Sequence, residues 1–230
     1  MTEAEWRIAA SHPYYLMRAK QHVVRTSSRR KARLFAAACC RRGWPVLPPA
    51  SRALLEVVEA AADSGDEAAA SWGVFRRALV EQERVEKDDD GSLESYTARH
   101  LVGTVLRTAI FPGSVDELGE VLAGSDLLLA VSADADLGSG DAAAAQAAIL
   151  GDVFGNPFRP VSFSPAWRTD TAVAVARQMY ESRDFSAMPI LADALQDAGC
   201  DSADVLDHCR DPNGVHVRGC WVVDLVLGKE

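Results

Sequence analysis

Apolar residues recur three and four positions apart along most of the chain, the period of a helix buried on one face. Leu54, Leu55, Val57, Val58 and Ala61 follow that spacing up to Gly65, and Trp72, Phe75, Leu79 and Val80 line one side of a segment from about Asp66 to Lys87. Starts and stops agree with it. Thr2 and Glu5 have capping-box spacing, Pro13 suits a first helical turn, and Ser27-Ser28 precedes RRKARLFAAACCRR, which stops at Gly43. Ser114–Glu117 is a second capping box, Thr169 or Asp170 caps TAVAVARQMYESR, and Asp201 or Ser202 caps ADVLDHCR. Two stretches depart from the pattern. Gly155 to Pro160 holds two prolines and a glycine in six residues, so 156–167 is expected to be irregular or extended. The Val-rich end, 215–227, fits either a helix interrupted at Gly219 or a β-strand. The expectation is a mainly α protein, an irregular bundle of nine or ten helices, with short extended segments near 156–167 and 215–227. No fixed-period repeat is present. The run Asp88-Asp89-Asp90-Gly91 is the sharpest break. It divides an N-terminal helical region, 1–90, from a C-terminal one, 91–230, unless the two form one continuous domain.

Composition narrows the class. With 230 residues, 48% hydrophobic and 25% charged, the chain can bury a full core without disulfides or metals. No apolar run approaches the ~20 residues that span a bilayer, and the N-terminus lacks a charged-then-apolar leader. A cytoplasmic protein that does not engage membranes is expected. Five cysteines, an odd number that includes the neighbours Cys39 and Cys40, read as free thiols or metal ligands.

Charge changes the picture more. No carboxylate lies between Glu5 and Glu56, while eleven Lys and Arg residues do, so residues 56–230 carry −18 of a net −9. Such asymmetry favours an anionic partner or docking of basic on acidic parts of the chain. In a helix over 28–42, Arg29, Arg30, Arg33, Arg41 and Arg42 form a candidate anion- or partner-binding face. A pI near 5.1 argues against nucleic acid, so pairing within the chain is the favoured reading.

Candidate chemistry gathers near the C-terminus in Cys200, His208, Cys209, His216 and Cys220. Zinc takes four thiolate or imidazole donors in a tetrahedron, and Cys200, His208, His216 and Cys220 would supply them. If 215–227 is helical, His216 and Cys220 share a face at i and i+4. There is no CxxC knuckle. Cys220 with His216 and Asp224 makes a linear echo of thiol, base and orienter, but one helix surface rarely provides a triad. The carboxylates Asp193, Asp197, Asp201, Asp204, Asp207 and Asp211 are explained as caps and a solvated face. No phosphate loop, EF-hand or HExxH is present.

Three stretches, RKARLFAAACCRR at 30–42, LGDVFGNPFRPV at 150–161, and ILADALQDAGCDSADVLDHCR followed by HVRGCWVVDLVLGK, resemble an uncharacterised bacterial protein family abundant in planctomycetes and present in some actinobacteria. The resemblance implies a bacterial intracellular origin and brings no activity, substrate or cofactor. The leading expectation is a non-enzymatic helical interaction or accessory module that binds another macromolecule, a protein before a nucleic acid, and needs no cofactor. The alternative is a zinc-binding protein or enzyme built on the C-terminal Cys/His cluster.

Overall fold

The computed structural model describes residues 1–42, 44, 47, 49–64, 80, 84 and 139–229. Among these there are nine α-helices, two short 3-10 turns and no strand. The mainly α expectation is therefore met. The helices expected between Gly65 and Gly138, and the break at 88–91, lie outside the described residues. The chain divides into two compact units, Glu3–Ala147 and Ala148–Glu230.

The N-terminal unit contains α1 (Glu3–Arg7), α2 (Pro13–Thr26), α3 (Arg29–Arg41) and α4 (Pro49–Ser64). Helix α3 starts where the Ser28 hydroxyl accepts a hydrogen bond from the Lys31 amide at 3.3 Å. That bond satisfies one of the amides that the first turn leaves open. Nine consecutive residues, Ala32 to Cys40, are buried. A helix covered on all sides needs small or apolar residues all round, and the alanines of this stretch meet that demand.

The C-terminal unit is built from the end of α5 (Ser139–Phe154) with α6 (Asp170–Ser182), α7 (Met188–Asp197), α8 (Ala203–Arg210) and α9 (Trp221–Leu227). Each of α6 to α9 gives one stripe to a shared core. The stripes are Ala172, Ala176, Met179 and Tyr180; Met188, Leu191, Ala192 and Leu195; Val205, Leu206 and Cys209; and Val222, Val223 and Val226. Fully burying an aliphatic side chain of this size contributes roughly 1.5–3 kcal/mol. The Thr169 hydroxyl accepts from the Ala172 amide at 3.3 Å and caps α6. Residues 155–164 are irregular, as expected, and Phe163 and Trp167 pack against the core edge-to-face at 5.2 Å.

The end of the chain follows the helical reading only beyond Gly219. Residues 215–217 adopt no regular secondary structure, Arg218–Gly219 form a turn, and helix begins only at Trp221. Neither a helix over 215–227 nor a strand forms. Val222, Val223 and Val226 fit one helical face of the core, so burial outweighs the β preference of valine.

Candidate metal centre

Four side chains of the C-terminal unit point at one another. Asp152 sits in the last turn of α5, His208 in the last turn of α8, His216 in the connection after it, and Cys220 at the residue before α9. Local turns bring the last three together. The Asn213 amide donates to the Asp211 carboxylate at 2.9 Å, and the Gly214 amide donates to the Asp211 carbonyl at 3.1 Å, so the chain reverses directly after α8. A second turn, closed by the Cys220 amide on the Val217 carbonyl at 2.9 Å, places Cys220.

The donor atoms of the four residues all lie within 4.8 Å of one another. His216 Nδ1 is 2.9 Å from Asp152 Oδ1, His208 Nε2 is 3.2 Å from the same oxygen, and His208 Nε2 is 3.3 Å from Cys220 Sγ. Asp152 Oδ2 accepts the Val217 amide at 2.8 Å, which orients the carboxylate and leaves Oδ1 for the cluster. The other edge of the His216 ring backs onto Gly214, where a Cβ would meet Nε2 at 3.0 Å. Asp152 and Cys220 are buried, the His216 side chain is 8% exposed and that of His208 19%.

Electrostatics follow from burial. Desolvation pushes the Asp152 carboxyl up, but hydrogen bonds and charge from His208 and His216 prevail and hold it below the ordinary carboxylate value. The Cys220 thiol is driven well above its usual range, first by complete burial and then by the Asp152 charge beside it. Without a cation, then, Cys220 stays a neutral thiol. A bound dication reverses that balance, because it stabilises the thiolate directly. One carboxylate, one thiolate and two neutral imidazoles around a dication sum to zero charge, the arrangement that costs least to bury.

The same distances do not set His208 between thiol and carboxylate as the middle member of a catalytic triad. A triad needs the thiol on one imidazole nitrogen and the carboxylate on the other. Here His208 Nε2 faces both Cys220 and Asp152. Donors converging on one point make a cluster that could hold one ion, whereas a relay needs them in series. A tetrahedral zinc site has donor-to-donor edges of about 3.3–3.6 Å, given metal–ligand bonds near 2.0–2.3 Å. Three of the six edges here measure 2.9, 3.2 and 3.3 Å, and all six lie within 4.8 Å.

Of the four residues expected to bind metal, His208, His216 and Cys220 come together and Cys200 does not. Cys200 lies in the apolar core between α7 and α8, its amide donating to the Leu195 carbonyl at 2.9 Å as part of the helix stop. Asp152 takes the fourth place, from a helix more than fifty residues earlier. The sequence signal available for it was a lone carboxylate in the apolar stretch AAILGDVF. The i, i+4 argument for His216 and Cys220 also does not hold, since residues 215–217 are not helical; the turn before α9 pairs them instead.

The arginine face is placed plainly too. Arg30 pairs with Asp63 at 2.9 Å, Arg41 holds the buried Glu59 with both prongs of its guanidinium, and Arg33 is itself buried. Only Arg29 and Arg42 of the five are exposed. Asp193 is taken up by Arg210 at 2.9 Å. No helix among the described residues is long and apolar enough to cross a membrane. No family model matches the chain, and no curated protein or solved structure is significantly similar to it.

Proposed function

We propose that the chain is a non-enzymatic helical module whose C-terminal unit binds one zinc ion through Asp152 Oδ1, His208 Nε2, His216 Nδ1 and Cys220 Sγ. The convergence of these four donors, three of them with buried side chains, supports the reading. Four protein donors fill a tetrahedron and leave no position for a substrate, which is how structural zinc sites differ from catalytic ones. Thiolate and imidazole together favour zinc or a similar transition ion over magnesium or calcium. The ion would tie the end of α5 to the 208–220 segment. A macromolecular partner draws less support, because Arg30 and Arg41 of the basic face already neutralise Asp63 and Glu59.

Elemental analysis of protein purified without chelator tests this: about one zinc per chain is expected. Exhaustive chelation should lower the melting temperature of the C-terminal unit, and restored zinc at a hundred times its dissociation constant should return about 2.7 kcal/mol. A metal-free protein whose melting is indifferent to added zinc overturns the proposal.

A further inference from the structure

The four donors are not equally sheltered, and the asymmetry points to one route for the ion. His208 is the most exposed of them, with 19% of its side chain accessible against 8% for His216. Along that ring lies the indole of Trp221, with ring centroids 5.2 Å apart. Trp221 directly follows the donor Cys220 and is itself only partly buried against the core. Its position is held from behind. Gly155, just beyond the end of α5, adopts φ +62°, and a Cβ there would stand 3.2 Å from Cγ and Cδ2 of the indole. Any residue larger than glycine would push the ring, and glycine is also the residue that takes this backbone conformation without penalty. The indole is thus seated between a bare backbone and the most exposed of the four donors.

We infer that Trp221 is the gate of this metal centre: its indole covers the His208 side and sets how fast a divalent transition ion enters and leaves. The inference rests on the four-donor reading of the site. It assigns Trp221 no coordinating atom. A gate changes rates of entry and exit together and leaves the equilibrium nearly alone, whereas a residue that merely supports the fold weakens binding by hastening loss only.

Stopped-flow exchange tests it on the full chain, with zinc or cobalt(II) loaded and then withdrawn by a chromophoric chelator. Trp221→Ala should speed both association and release by about tenfold or more, shift the dissociation constant by less than about threefold, and still bind one ion at saturation. Trp221→Leu, which keeps apolar packing but not the width of the ring, should behave in the same way. Trp221→Phe should remain near the wild-type rates. If Trp221→Ala does not fold, the leucine variant carries the test, and metal-free melting is measured for each. Wild-type exchange rates in Trp221→Leu, or faster release with unchanged association and a proportionally weaker dissociation constant, overturns the gate. A wild-type protein that takes up no ion defeats the metal-centre reading itself, a distinct result.

Discussion

Asp152 carries more of the site than any other residue. Its carboxylate is buried, accepts from two imidazoles and a backbone amide, and comes from the largely apolar end of its helix. Because its folded value lies below the ordinary 3.8, its contribution to stability is complete above that pH and is lost as pH falls through the lowered folded value. In the metal-free protein, the difference in unfolding free energy between wild type and Asp152→Asn should shrink on acidification below about pH 4, as measured by urea titration at each pH. A difference that grows in acid would contradict the assignment. The cysteines separate by role. Cys220→Ser and His208→Ala should each reduce bound zinc to a small fraction of an ion. Cys200→Ala should keep the full ion and cost only about 1–2 kcal/mol from lost core packing. Both thiols are buried, and what separates them is the position of the sulfur relative to the other donors.

At the scale of elements, helix ends determine where donors stand. Helix α5 ends at Phe154, two residues after Asp152, and α8 ends at Arg210, two residues after His208. Both donors therefore project from final turns, next to the reversals that admit the 214–220 segment. The caps that keep such helices in register have measurable worth. Thr169→Ala removes the hydroxyl that accepts the Ala172 amide and should destabilise the C-terminal unit by about 1 kcal/mol, read from chemical denaturation. Zinc stoichiometry should be unchanged, because α6 supplies no donor. Loss of zinc in this variant would mean that the site depends on the core as a whole and not on its own turns.

Across the whole molecule, the basic segment is largely spent on its own unit. Arg41→Ala leaves the buried Glu59 without its guanidinium and should cost the N-terminal unit about 2 kcal/mol in denaturant titration, with zinc retained. An unchanged midpoint would return Arg41 to the pool available for an anionic partner. Helical class, the caps at Ser28 and Thr169, the irregular stretch after Gly155 and the tight turn at 211–214 were all legible in the sequence, because each depends on residues within a few positions of one another. His208, His216 and Cys220 were legible for the same reason, lying within thirteen residues. Asp152 was not, since nothing local distinguishes a carboxylate in the apolar stretch AAILGDVF from a solvated one. Nor was the exclusion of Cys200, a thiol of the right type at a plausible distance along the chain. The choice between helix and strand after Gly219 also went to packing, which buried three valines on one face. Periodicity, caps and turns are near-neighbour physics and belong to the sequence by itself. Which four donors meet at one point depends on how separate helices pack, and that was decided only by the tertiary structure.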